Sequence, residues 1–284
     1  MTEALRFPPA VERWLAQAAT DPEAFWGRAA EALPWFRRWD RVFEPDPPSF
    51  RWFVGGRTNL AHNALDHHVA VGDGGRLALI AVNERGERRD LTYRGLLDEV
   101  VRVAAALRGV GIRRGDRVTL YLPTCPEAIV AMLAIVRIGA IHSIVFAGFG
   151  HMALGDRIRA SGSRLVLTAD VTYRKGRPTE LKPIVDAALA IDPGAVEHVV
   201  VLEREPGRTA LDRPRDLSWL QFLERAEEHD GGHEEMEANE PAFILATSGT
   251  TATPKLAVHT HGGYQVHIVA MARWVFGLRP GETW

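Results

Sequence analysis

The chain has 284 residues, with 34 basic and 36 acidic side chains, a formal net charge of -2 and 46% hydrophobic residues. That length and apolar content are ample for one large or two small packed domains, and the near-neutral balance gives no support for a nucleic-acid binder. The single cysteine, Cys125, cannot close an internal disulfide, the N-terminal residues lack the apolar core of a signal peptide, and the most apolar run, near Ala128 to Val136, is too short to span a bilayer. Together these features predict a cytoplasmic protein with no membrane partner.

Residues 1–70 are rich in tryptophan, phenylalanine and proline. They show amphipathic helical stretches near Val11–Ala19 and Pro22–Leu33, then the irregular Pro45-Asp46-Pro47-Pro48. From Leu77 the pattern becomes regular. Leu96, Leu97, Val100, Val101, Ala104 and Leu107 recur at helical spacing behind a Thr92 cap, and Gly109 and Gly111 end that helix. A strand is expected at Arg117–Leu122, a helix from Pro126 to Ile138 stopped by Gly139, and a buried strand at His142–Phe146. Further strands are expected at Arg164–Thr168, His198–Leu202 and Ala242–Ala246, with helices near His151–Ala160, Leu181–Ala190 and Leu217–Glu228. This alternation predicts an α/β protein with mainly parallel sheets covered by helices. The acidic, glycine-containing stretch near 227–241 is expected to be a solvated connection between subdomains, while His142, Met132, Met271 and Trp274 are assigned to the core.

The stretch after Ala242–Ala246 is Thr247-Ser248-Gly249-Thr250-Thr251-Ala252-Thr253-Pro254-Lys255, with five hydroxyl side chains, one glycine and one lysine. Such a cluster on its own is more often a Ser/Thr-rich turn. Two features favour a phosphate loop instead: a strand delivers it, and Lys255 is one of only three lysines among 34 basic residues. Short donors, backbone approach at a glycine and a cation at the rim are what a polyphosphate requires. The loop is not a Walker A, since Lys255 is followed by Leu256 and no glycine precedes it directly. A second cluster, Thr172-Tyr173-Arg174-Lys175-Gly176-Arg177, places three cations around one glycine. By itself it fits either a solvated basic loop or a phosphate-monoester site. The pairs His67-His68 and His259-x-His261 have no carboxylate or cysteine set at ligand spacing, so no metal site is assigned.

The hydroxyl loop, with Val258-His259-Thr260-His261-Gly262-Gly263-Tyr264 behind it, resembles the phosphate-loop signature of the adenylate-forming acyl-coenzyme A synthetases, nearest the acetyl-coenzyme A synthetase branch. Other segments agree: Trp52-Phe53-Val54-Gly55-Gly56 with Asn59, Asn63 and Asp66; Gly115-Asp116-Arg117-Val118; Arg137-Ile138-Gly139-Ala140-Ile141-His142-Ser143; and Val145-Phe146-Ala147-Gly148-Phe149. The resemblance implies that residues 1–70 are the N-terminal extension of that branch and 71–284 an incomplete adenylate-forming domain. It also implies that Thr247, Ser248, Gly249, Thr250, Thr251 and Lys255 hold ATP phosphates. Coenzyme A falls to Arg174, Lys175, Gly176 and Arg177, with Arg174 and Arg177 on its 3′-phosphate and Gly148 beside the pantetheine arm. Ala252 and Leu256 stand where the family usually has glycine, and alanine resists the positive φ that glycine accepts.

The implied reaction has two steps. A carboxylate attacks ATP to give an acyl-adenylate and pyrophosphate, with Mg2+ sharing the phosphate charge, and the coenzyme A thiol then displaces AMP. The expected partners are a small carboxylate, ATP and coenzyme A. Segments that resemble the family's adenine, ribose and lysine-bearing regions are not found, so no catalytic residue is assigned within the chain. The 284 residues are expected to be an inactive fragment of an acetate or short-chain acyl-coenzyme A ligase. The other reading is a non-catalytic nucleotide- or coenzyme-binding module of the same fold.

Overall fold

A computed structural model describes residues 9–84, 86–212, 214–247 and 255–284. Two helices come first, α1 (Pro9–Thr20) and α2 (Pro22–Ala30), then strands β1 (Arg41–Asp46), β2 (Ser49–Val54) and the short β3 (Arg57–Thr58). A π-helical turn at His62–Asp66 leads to α3 (His67–Ala70), β4 (Leu77–Val82), β5 (Arg88–Thr92) and the long α4 (Tyr93–Gly109). The middle of the chain then runs β6 (Arg117–Tyr121), α5 (Pro126–Arg137), β7 (Ile141–Ile144), α6 (His151–Ser161), β8 (Leu165–Ala169), β9 (Val171–Arg174), β10 (Arg177–Glu180), α7 (Lys182–Ile191), β11 (His198–Leu202), β12 (Asp216–Ser218) and α8 (Trp219–Glu224). The last elements are β13 (Met236–Glu237), β14 (Pro241–Thr247), β15 (Lys255–Thr260) and α9 (His261–Trp274).

These elements form two compact units, the larger made of residues 59–236 and 241–260. Its seven-stranded sheet has the order β12-β11-β8-β6-β7-β14-β15, parallel at every pairing except β14 with β15. The mainly parallel expectation holds, and the antiparallel edge strand β15 is an addition to it. Successive residues of β8 enter different cores: Leu165 and Leu167 join α4 and α5, while Val166 joins α6 and α7. A strand buried on both faces is therefore apolar throughout, without alternation. Each such side chain contributes roughly 1.5–3 kcal/mol by leaving water. The Thr92 side chain caps α4 by accepting from the Gly95 N–H at 3.1 Å, and Pro126 lies in the first turn of α5.

Two helices are shorter than their apolar patterns. Helix α2 stops at Ala30, three residues before Leu33; Pro34 disfavours helix in the residue before it, and the Trp35 indole N–H donates to the Ala30 carbonyl at 3.0 Å. Helix α8 starts only at Trp219, because Leu217 and Ser218 pair with β11 and a capping box of Ser218 and Gln221 fixes the helix start. The acidic stretch lies along the larger unit as far as Met236. Arg108 donates to the Asp230 carbonyl at 2.6 Å, and Arg137 donates to the Gly231 carbonyl at 2.7 Å.

The smaller unit comprises residues 1–58, 237–240 and 261–284, with Ala29, Ala30, Phe53, Ala238 and Val266 at its centre and tryptophans 26, 35, 39 and 52 packed around them. Pro45-Asp46-Pro47-Pro48, expected to be irregular, instead closes a hairpin: Pro45 pairs with Phe50 and Asp46 with Ser49. Proline is tolerated there because strand ends and turns need fewer ladder donors. Trp274 was assigned to the core but is 36% exposed. Its ring is 5.3 Å from both Trp14 and Phe25, and over a third of its surface remains open to solvent.

Candidate functional site

A cleft of about 1540 Å³ opens at the carboxyl ends of β6, β7, β11 and β14. This is where open parallel sheets gather ligands, because the chain leaves each strand there into a loop with backbone donors to spare. The β6–α5 and β7–α6 connections, the tip of the β9–β10 hairpin, residues 202–205 and the β4–β5 turn form its walls. Four cations, Arg157, Arg174, Lys175 and Arg204, face the cleft together with carboxylates from Glu84, Glu87, Glu127, Glu203 and Glu205.

The basic cluster is a hairpin, not the open loop its composition allowed. Arg174 pairs with Arg177, so Lys175 and Gly176 form a two-residue turn with φ of 53° and 71°. Such a turn requires left-handed backbone at both positions, which glycine adopts freely and lysine adopts with strain. Both turn amides point to the Glu84 carboxylate: Lys175 N–H donates to one oxygen at 3.2 Å and Gly176 N–H to the other at 3.0 Å. Gly148, Arg174, Lys175 and Gly176 thus line one cleft, whereas Arg177 is exposed and does not.

The base of the hairpin hangs from Asp170, which is 1% exposed. One oxygen accepts the Val171 and Arg204 amides at 2.6 and 3.0 Å, and the other accepts the Glu205 amide at 2.8 Å. Tyr173 donates its hydroxyl to Glu205, and the Arg204 guanidinium lies over the Tyr173 ring. The wall carrying Arg174 and the wall carrying Arg204 are therefore joined by the buried Asp170 carboxylate together with these side-chain contacts.

A Cβ at Gly148 would meet the ring of Phe146, which is exposed and would have to turn aside. Nearby, the Tyr121 hydroxyl donates to the Phe149 carbonyl at 2.6 Å, and burial pushes that phenol up. Cys125 also faces the cleft. Burial, reinforced by Glu127, pushes its thiol up to about 12, so it is a neutral thiol and no nucleophile at ordinary pH. Sequence reasoning singled out none of Glu84, Glu127, Arg157 or Arg204; they come from turns and helix faces far apart in sequence and converge only through the sheet.

Of the hydroxyl loop, Thr247 and Lys255 are described, while Ser248, Gly249, Thr250 and Thr251 lie outside the described residues. Thr247 and Lys255 are partners in the β14–β15 register, and the Thr247 hydroxyl donates to the Lys255 carbonyl at 3.3 Å. Leu245 and Ala246, just before Thr247 on β14, line the cleft. Deeper in the same strands, Phe243 is sandwiched between His142 (5.2 Å, 8°) and His259 (4.5 Å, 13°), and burial holds His259 below its ordinary value. Among the described residues no group of three His, Cys, Asp or Glu side chains is placed to hold a metal ion. No described helix is long and apolar enough to cross a membrane.

A parallel sheet with a charged cleft at its strand ends, and a hydroxyl-rich loop issuing from one of those strands, defines a nucleotide- or coenzyme-binding α/β class. Within it, the chain belongs to the AMP-binding enzyme family, whose model matches residues 66–284; the acetyl-coenzyme A synthetase N-terminus matches residues 11–64. It is 44% identical over 277 residues to the acetyl-coenzyme A synthetase of Deinococcus radiodurans, covering 96% of this chain and 42% of that protein. It is also 43% identical over 267 residues to the 3-hydroxypropionyl-coenzyme A synthetase of Sulfurisphaera tokodaii, covering 91% of this chain and 39% of that protein. Among solved structures, acetoacetyl-CoA synthetase from Streptomyces lividans superposes with a TM-score of 0.85 at 26% identity, over 99% of this chain and 42% of that one. The chain thus spans about two-fifths of the length of these relatives.

Proposed function

We propose that this chain supplies the coenzyme A-facing cleft and the first phosphate loop of an AMP-forming acid–thiol ligase. Its substrates would be ATP, coenzyme A and acetate or another short-chain acid. Relatives whose names specify acetyl-, 3-hydroxypropionyl- and acetoacetyl-coenzyme A leave the acid open. The observation that carries this reading is the convergence of Gly148, Arg174, Lys175 and Gly176 on one cleft at the strand ends.

In this reading the acid's carboxylate oxygen attacks the α-phosphorus of ATP and pyrophosphate leaves. The coenzyme A sulfur then forms the bond to the acyl carbon as AMP departs. Lys255 and the hydroxyls of Thr247, Ser248, Thr250 and Thr251, with the backbone at Gly249, stabilise charge on the departing pyrophosphate, which is positioning and electrostatics and involves no covalent bond to the protein. Arg174 and Lys175 hold the 3′-phosphate of coenzyme A, Gly176 brings backbone close to it, and Gly148 leaves room for the pantetheine arm. Arg177 assists from the far side of the turn. Magnesium would arrive with the ATP phosphates and share their charge. Residues 1–70 act as the N-terminal extension, 71–284 as part of the adenylate-forming domain with a subdomain junction near 227–241, and the protein works in the cytoplasm.

The test is binding of coenzyme A and of 3′-dephospho-coenzyme A to the chain by calorimetry. Coenzyme A is expected to bind more tightly. Arg174→Ala should remove about 1.5–3 kcal/mol, roughly tenfold or more, from coenzyme A alone. Arg177→Ala, outside the cleft, should cost less than Arg174→Ala. Equal affinity for the two ligands in the unaltered chain would overturn the 3′-phosphate assignment.

A further inference from the structure

The Glu84 carboxylate bridges two consecutive backbone N–H groups at the tip of the β9–β10 hairpin, at 3.2 and 3.0 Å. In a two-residue hairpin with Arg174 paired to Arg177, these are the two amides that the strand ladder leaves to other acceptors. With both turn residues at positive φ, the amides converge on one side and form a concave anion site. Arg174 and Lys175 add two positive charges at the same tip. Glu84 comes from the β4–β5 turn, ninety-one residues earlier, where Asn83 and Glu87 are stapled by side-chain and backbone hydrogen bonds. An oxyanion of the chain itself therefore occupies the place built for an oxyanion.

We propose that Glu84 is a resident competitor for this anion site, and that the phosphate monoester of the ligand enters by displacing it. The inference rests on the reading of the hairpin as the 3′-phosphate site. Glu84 and the phosphate cannot share the two amides, because each would place negative oxygen within hydrogen-bond distance of the same two hydrogens, and like charges at that separation repel. A carboxylate offers one negative charge and two oxygens, while a phosphate monoester dianion offers nearly two charges and three oxygens for the amides, Arg174 and Lys175 together. Displacement thus lowers the affinity of every anion that must take the amides by the same factor, which a phosphate monoester with its extra charge and oxygen can bear better than a monoanion, and Glu84 returns to the amides when the ligand leaves. Its role is to temper the grip on the phosphate monoester and to assist its release; it makes no bond to the reacting atoms.

The experiment compares the unaltered chain with Glu84→Ala and Glu84→Gln, using coenzyme A and 3′-dephospho-coenzyme A as ligands and the amide resonances of Lys175 and Gly176 as a local probe. Glu84 is exposed on a turn, and both variants should keep the amide dispersion of the folded chain. Glu84→Ala should bind coenzyme A about tenfold more tightly, and Glu84→Gln, which keeps the hydrogen bonds but not the charge, should fall between. Affinity for dephospho-coenzyme A should change less than twofold. The two amides should shift in ligand-free Glu84→Ala, and in the unaltered chain they should shift when coenzyme A is added. Coenzyme A preferred over the dephospho form but unaffected by either substitution would overturn this inference and leave the 3′-phosphate reading standing. So would Lys175 and Gly176 amides that do not move in ligand-free Glu84→Ala. Equal affinity for the two ligands in all three proteins would overturn the 3′-phosphate reading, and with it the competition.

Discussion

Lys182, a lysine to which the sequence pattern assigned no role, is 1% exposed and places its ammonium 2.6 Å from the carboxylate of Asp216, itself 0% exposed. Asp186 is a further 2.6 Å partner of the ammonium, and Arg215 Nε donates to the other Asp216 oxygen at 2.8 Å. The Asp212 amide donates to Asp216 as well, so the acceptor capacity of the carboxylate is largely used. Burial pushes the Asp216 carboxyl up, but hydrogen bonds from Arg215 and Lys182 outweigh it and hold the group below the usual carboxylate range. Removing one member of a buried ionic cluster strands its partner, so Lys182→Met, similar in bulk, should lower unfolding free energy by about 3–5 kcal/mol in chemical denaturation. The pH dependence follows from the sign of the shift. Because the folded value is depressed, the Asp216 contribution is fully present above the unfolded carboxylate value of about 3.9 and is lost as pH falls through the lower folded value. The stability gap between the unaltered chain and Asp216→Asn should therefore be flat from about pH 5 to 8 and narrow below about pH 4. A gap that widened on acidification would contradict the assignment.

Helix α4 shows at the scale of an element why two glycines that look alike in sequence should respond oppositely to substitution. Gly109 is the last residue of the helix, and a Cβ there would collide with the backbone carbonyl of Arg225 just beyond α8. Gly109→Ala should therefore push the α4–α8 packing apart, at about 1–3 kcal/mol. Gly95, in the first turn, would place its Cβ 3.5 Å from the Thr92 hydroxyl, an ordinary contact, and its N–H to Thr92 would be unaffected. Gly95→Ala should raise stability by roughly 0.5–1 kcal/mol, since alanine gives up less backbone entropy on folding. Thermal melts of the two variants should move in opposite directions. What sequence could and could not supply follows the same division. The Thr92 cap, the Pro126 start and the apolar runs of β8 and β11 are local signals, and the structure places those elements within a few residues of the expected bounds. Strand β15, the β1–β2 hairpin and the Lys175-Gly176 turn depend on a partner strand, which no local pattern names. At the site, the cations of the hairpin were legible from composition, whereas Glu84 and Asp170 acquire meaning only from the distant amides they accept.

At the scale of the whole molecule, the chain builds its two units from interleaved segments: residues 1–58, 237–240 and 261–284 share one core, and 59–236 with 241–260 the other. The cleft, with the proposed coenzyme A wall and the strand β14 that precedes the proposed phosphate loop, lies entirely in the second. The proposed coenzyme A binding therefore calls on groups of one unit only. Forming an adenylate would be a larger requirement: the acid, the nucleotide base and the α-phosphate must be held together in attacking geometry, and the chain corresponds to only about 42% of the length of the acetyl- and acetoacetyl-coenzyme A synthetases it resembles. The 284 residues alone are accordingly expected to bind coenzyme A and to show no exchange of labelled pyrophosphate into ATP above background with acetate, 3-hydroxypropionate or acetoacetate. An exchange rate that depended on one of these acids would place the adenylating groups within residues 1–284 and would name the acid as well. If it also fell on Lys255→Ala, the pyrophosphate role of the loop would be supported by the same assay, because pyrophosphate takes part in the first step only.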